Sequence, residues 1–254
     1  MKNSAHRLKN LALYLASRYG LPEFYSKFSH HHAKARHLYF NDPLVQMVRE
    51  HIEPELESID CLGHGISHSR KVGWDCATLL SVELTGISMP QEKINRMMIL
   101  GLLAGLFHDI CRLEENHAER GAQRAAEELR SFPLSNEEIS AICRAIRNHE
   151  AFIRPVPCID PASQLLSDCL YDADKFRWGC DTFTHTLWCI VEYRNMSIEE
   201  LVDRFPWGIQ GIERIRQTFR TTTGKSFGPE IIDQGLELGR QIYRYLLDEV
   251  GGEK

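Results

Sequence analysis

Met97-Met98-Ile99-Leu100-Gly101-Leu102-Leu103-Ala104-Gly105-Leu106-Phe107-His108-Asp109 is the stretch that decides the fold. Its apolar run, Met97 to Phe107, is too short to cross a bilayer, which takes about 20 residues. At about 3.6 residues per turn, Gly101, Ala104, Gly105 and His108 share one helix face. Small residues on that face let a second backbone come close. His108 continues the same buried face, and Asp109 follows about 100° round the axis. The run therefore reads as a buried helix that ends on two metal-capable side chains.

Three other segments repeat this pattern. His68, Val72, Cys76 and Leu79 lie on one face. Ile139, Ile142, Cys143 and Ile146 form an apolar stripe that His149 continues. Leu166, Leu170 and Asp174 are spaced by four, so a carboxylate lands on a buried face. A buried carboxylate alone is costly. Several brought together with imidazoles are explained by a cation, which neutralises the charge and fills the lone pairs. Mixed imidazole and carboxylate donors suit Mn, Fe, Co, Ni or Zn better than Ca.

Helical periodicity extends over most of the remaining chain, and no alternating strand pattern appears. Helices are expected over about 6–19, 43–57, 67–84, 88–109, 117–130, 135–149, 162–177, 181–194, 197–204, 209–220 and 229–248. Ser67 is the expected N-cap of the third of these. Ser88-Met89-Pro90-Gln91 and Ser135-Asn136-Glu137-Glu138 carry capping signals. Pro155, Pro157 and Pro161 make a loop, and Pro229 suits a first helical turn. The basic stretch 27–37, with His30, His31 and His32, reads as a solvated helix face or loop, with a second metal site or phosphate patch as the alternative. The expected fold is all-α, a single domain over 1–254.

A chain of 254 residues buries roughly 70–75 % of its unfolded surface, enough for a core without staples. The net charge of −5 lacks the basic excess of a nucleic-acid binder. The eight cysteines form no CxxC pair, and MKNSAHRLKN has no apolar signal core. A cytoplasmic protein with cysteines as small buried hydrophobes is expected, acting on a small molecule without nucleic acid or membrane. A homo-oligomer is compatible with the sequence.

The segments His64-Gly65-Ile66-Ser67-His68-Ser69-Arg70-Lys71-Val72, Leu106-Phe107-His108-Asp109-Ile110 and Asp172-Ala173-Asp174-Lys175-Phe176, in that order, resemble the HD-domain superfamily of metal-dependent phosphohydrolases. The resemblance covers about residues 60–180. It implies an HD-type helical bundle, here with additional N- and C-terminal helices. It also implies a divalent metal (Mn, Fe, Co, Ni, Zn or Mg) held by His68, His108, Asp109 and Asp174, with Asp174 favoured over Asp172. His117-Ala118-Glu119-Arg120-Gly121-Ala122 and Asn148-His149-Glu150 are similar to two further family positions. There His117 and His149 either bind a second ion, with Asp109 bridging the pair, or face the substrate phosphate. The residues after Glu150 do not make the Gly-Tyr-Pro motif of the cyclic-di-GMP branch, and Gly65 stands where relatives often carry Asp.

The implied activity is hydrolysis of a phosphomonoester or phosphodiester, of a nucleotide or another small phosphorylated molecule, by metal-activated water. Arg112, one turn beyond His108, and Lys175, beside the proposed ligand, are the expected partners of the phosphoryl oxygens. Arg120 and Arg147 are weaker candidates for that role. Glu150 is the candidate general base. His64, His117, His149 and Arg147 are the expected substrate contacts. Two other readings are a di-iron oxygenase of the same family and a nucleotide-binding module without turnover.

Overall fold

The computed structural model describes residues 2–85, 87 and 89–252, and these form helices without a strand. In chain order they are α1 (Lys2–Ala16), α2 (Glu23–Lys27), α3 (Ser29–Asn41), α4 (Pro43–Ser58), α5 (Ile66–Thr85), α6 (Gln91–Phe107), α7 (His117–Glu128), α8 (Asn136–Arg147), α9 (Pro161–Phe176), α10 (Leu187–Tyr193), α11 (Ile198–Ile215) and α12 (Thr222–Gly252). The all-α expectation holds. No helix among the described residues is long and apolar enough to cross a membrane.

α5 and α6 make the most extensive helix pairing. The small residues explain it. A Cβ on Gly105 would lie 2.3 Å from the Cα of Gly73, so only two glycines allow the backbones this close. α9 packs on both α5 and α8, and α7 packs on α8. Leu79, Leu80, Leu102, Leu103, Leu166 and Leu170 are fully buried in this core. Each isobutyl side chain so buried contributes about 1.5–3 kcal/mol of transfer free energy.

The chain ends cover this core. Phe24 of α2 is fully buried and meets Phe176 at 4.9 Å between ring centroids, edge to face. Tyr25 donates to the buried Asp75, which also holds the Arg177 guanidinium. The basic stretch 27–37 spans the end of α2 and most of α3. There His31 Nδ1 lies 2.8 Å from Ser81 Oγ, and His32 lies 3.6 Å from Asp75. Neither belongs to a metal-capable group among the described residues.

Several boundaries correct the sequence reading. α5 begins at Ile66, one residue before the expected N-cap Ser67. The Ser135 capping box is present as expected. Ser88 lies outside the described residues, and α6 opens at Gln91 behind Pro90. The expected helix over 181–194 instead opens with a π-helical turn, Thr182–Thr186, before α10. The expected helices over 197–204 and 209–220 are the single α11, which runs through Pro206. A proline inside a helix forfeits one hydrogen bond, but burial of Leu201, Phe205, Ile212 and Ile215 along one face holds α11 together. α12 starts at Thr222, so Pro229 lies inside it. Of the cysteines expected to be buried, Cys76, Cys111 and Cys169 are, whereas Cys143, Cys158, Cys180 and Cys189 are half-buried. No disulfide forms among the described residues.

Candidate metal centre

α6 ends at Phe107, so His108 is its C-cap and Asp109 stands in the turn beyond. α8 ends at Arg147, and His149 stands two residues past it. The two histidines are held by the same device. His108 Nδ1 lies 2.8 Å from the carbonyl oxygen of Gly105, and His149 Nδ1 lies 2.6 Å from that of Ile146. A carbonyl only accepts, so Nδ1 carries the proton in both rings. Each Nε2 then turns a lone pair into the site, the tautomer that metal ligation requires.

Asp109 is the centre of the arrangement and is 2 % exposed. Its Oδ2 lies 2.8 Å from His64 Nδ1, 3.3 Å from His108 Nε2 and 3.6 Å from His68 Nε2. Its Oδ1 faces the other way, 3.4 Å from His149 Nε2 and 3.6 Å from His117 Nε2. Asp174 Oδ1, from α9, completes the first side at 3.4 Å from His68 Nε2 and 3.8 Å from His108 Nε2. Three groups result, each with donor atoms within 4.8 Å of one another: His64, His68 and Asp109; His68, His108 and Asp174; Asp109, His117 and His149. These groups can hold a metal ion.

The residues fit a cation on a specific observation. Asp109 Oδ1 is buried and accepts no hydrogen bond from the protein. A carboxylate oxygen left that way is costly. A cation held with His117 and His149 would satisfy that oxygen. On the other side His68 Nε2 and His108 Nε2 face each other at 3.1 Å, and a cation held with Asp174 would be met by both rings.

Electrostatics keep the donors ready. Burial lowers the His68 imidazole to about 3 and the His117 imidazole to about 4, so both are neutral at pH 7. Burial acts against the two carboxylates. Even so, His108 and His64 hold Asp109 well below the usual range, and Lys175 and His68 do the same for Asp174. His108 resists burial because Asp109 is beside it, and its pKa is raised.

The remaining expected residues sort by position. Lys175 is buried, and its Nζ is bonded to Asp174 Oδ2. Arg112 Nη1 donates to His117 Nε2 at 2.9 Å and lies 3.9 Å from Asp109 Oδ1. Glu150 stands on the wall of the adjoining cavity. Arg147 does not: it pairs with Glu119 and is not part of the wall. Arg120 is likewise remote, fully solvated and bonded to Glu114. His64, expected at the substrate, stands against Asp109 within a ligand-capable group.

Asp172, the alternative to Asp174, is turned away from the centre. Its carboxylate accepts the backbone N–H of Arg220 and of Thr221, each at 2.8 Å, and the Thr221 hydroxyl at 2.7 Å. Burial pushes it up to about 6 despite those bonds.

The centre opens into a cavity of about 600 Å³. Residues 182–212 supply much of its wall. Phe152, Trp178 and Phe183 line the cavity, and Phe176 is core. No spacing rule exposes such a wall, because apolar lining residues and apolar core residues have the same period. No protein-family model matches the chain, and no curated protein or solved structure matches it either.

Proposed function

We propose that this chain is a metal-dependent phosphohydrolase of the HD-domain type, acting on a small phosphorylated molecule in the cytoplasm. One observation carries the reading. Asp109 stands between two imidazole groups with an unsatisfied buried oxygen, on the wall of a cavity that also includes five Lys or Arg residues. Cations in a concave, partly dry site favour an anionic ligand.

His68, His108, Asp109 and Asp174 are the proposed ligands of one divalent ion. His117 and His149, with Asp109 shared, are those of a second. Such an ion polarises a phosphoryl oxygen and lowers the pKa of water from about 15.7 toward 7. The protein does the rest. In the reaction, water oxygen bonds to phosphorus, the ester P–O bond breaks, and its electron pair leaves on the alcohol oxygen, which takes up a proton. Arg112 and Lys175 offset charge on the phosphoryl oxygens, where fixed donors act most strongly in a dry site. Glu150 is the proposed acceptor of the water's proton. Asp109 and Asp174 orient the donor set.

A second reading is favoured by the Asp109 geometry itself: a carboxylate between two sets of imidazoles also suits a di-iron oxygenase. Elemental analysis of the purified protein, with a phosphomonoester and phosphodiester panel and an oxygen electrode, separates the two. Phosphate release without oxygen uptake is expected. Iron with oxygen uptake and no phosphate release sinks the hydrolase.

A further inference from the structure

The cavity wall that α10 and α11 supply is mostly apolar, with Arg194 and Arg204 as its charged side chains. Leu187, Ile190 and Val191 of α10 and Leu201, Phe205 and Ile212 of α11 line it. No Asn, Gln, Ser or Tyr does, among the described residues. Thr182 and Thr186 are its only hydroxyls, and Thr182 gives its own to the Arg177 carbonyl at 3.2 Å. The cations that line the cavity divide in two. Arg112, Lys175 and Arg177 are each held by an imidazole or a carboxylate. Arg194 and Arg204 are exposed and form no ion pair among the described residues.

Two local features tie this wall to the centre. Phe152, three residues after His149, has φ +65°, a left-handed backbone that a bulky side chain rarely adopts. Arg214 of α11 stacks over its ring at 4.1 Å, which holds the strained residue on the cavity wall. The π-helical turn Thr182–Thr186 puts both Phe183 and Thr186 on the wall, and its loosened Phe183 carbonyl is taken by Trp188 Nε1 at 2.6 Å. Strain and π-helical turns concentrate where a wall is shaped for a ligand.

A nucleobase is identified by hydrogen bonds to its edge. Against the Leu, Ile, Val and Phe side chains of this wall most of those donors and acceptors would stay unpaired. A sugar would fare worse. A hydrocarbon chain loses nothing there and leaves water.

We propose that the substrate is an amphiphile: an anionic phosphate head at the His/Asp centre and an apolar alkyl or prenyl-like chain filling the α10–α11 chamber. The head-group half rests on the phosphohydrolase reading; the chain half rests on the wall alone.

The test uses the full chain and n-alkylphosphonates from methyl to decyl, titrated by calorimetry with manganese present and again after chelation. The C–P bond resists hydrolysis, so binding is read without turnover. Affinity is expected to tighten by about fourfold per methylene, the ratio corresponding to about 0.8 kcal/mol each, and to level off when the chamber is full. Ile190→Trp, its folding checked by thermal melt, is expected to move that plateau to shorter chains. Affinity independent of chain length overturns the proposal, as does a plateau unmoved in folded Ile190→Trp. A parallel turnover panel of alkyl phosphates and adenosine monophosphate keeps the two readings apart. Length-dependent binding with no phosphate release from any ester leaves the chamber standing and sinks the hydrolase. Turnover that ignores chain length does the reverse.

Discussion

The centre and the chamber beyond it are built on opposite principles. At the centre, five buried polar side chains, His68, His108, Asp109, His149 and Asp174, are fixed by directional contacts from four separate parts of the chain. Their helices can converge only because two glycines let α5 and α6 nearly touch. The α10–α11 wall has almost no directional contacts, and its shape comes from apolar packing. Phe205, for example, stacks between Phe183 and Tyr243 at 5.8 and 5.1 Å. Polar geometry tolerates no repacking, whereas an apolar wall can change residue by residue and keep its volume. Directional polar contacts are therefore concentrated at one end of the cavity and apolar packing at the other.

The sharpest way to break this contrast is Asp109→Ala. It removes the one group shared by both sides of the centre, and retained metal is expected to fall by roughly tenfold or more, the scale on which even supporting contacts act. Ile190→Trp is expected to keep its metal. Full occupancy in Asp109→Ala, by elemental analysis, would remove Asp109 from the ligand set.

Next in size is Gly105→Val. Its side chain would have to displace the Gly73 backbone, so a stability loss of about 3 kcal/mol is expected, read as a lower melting temperature together with lost metal. An unchanged melt means the close approach of α5 and α6 is not needed.

A smaller effect is expected from pH on chelator-treated protein. The folded pKa values of His68 and His117, about 3 and about 4, lie below the ordinary 6.5. The unfolded chain therefore binds more protons than the folded one in that interval, and stability falls as pH drops from 6.5 toward 4. His108, raised, opposes this in part. Added metal should steepen the slope between pH 7.5 and 5.5, because ligation also keeps His108 unprotonated in the folded chain. A chelated protein that melts at the same temperature across that range contradicts the burial of those rings.

The smallest effect belongs to Arg147→Ala. Its exposed pair with Glu119 is worth about 0–1 kcal/mol, and neither metal content nor phosphoester KM should move. A raised KM would return it to the substrate.

The polar end was legible in the sequence because a polar residue on an apolar stripe breaks the pattern. His108 after Gly101, Ala104 and Gly105, and Asp174 after Leu166 and Leu170, announce themselves by period alone. Nothing distinguishes Leu187 or Ile190 from core in that way. Asp172, the alternative to Asp174, is accounted for by three hydrogen bonds from Arg220 and Thr221, 48 and 49 residues further along, which no spacing within α9 foretells. Arg147, expected at the substrate, pairs with Glu119 and does not line the cavity, a placement that its position in the sequence does not disclose.

Those two aspartates give α9 a further significance. Two residues apart on a helix means about 200° of rotation, so Asp172 and Asp174 reach out from nearly opposite sides of one rigid rod. Asp172 grips the corner where α11 gives way to α12, while Asp174 reaches the imidazoles. One rigid rod thereby fastens the Arg220–Thr221 corner and the imidazole cluster to the same stretch of backbone, two residues apart.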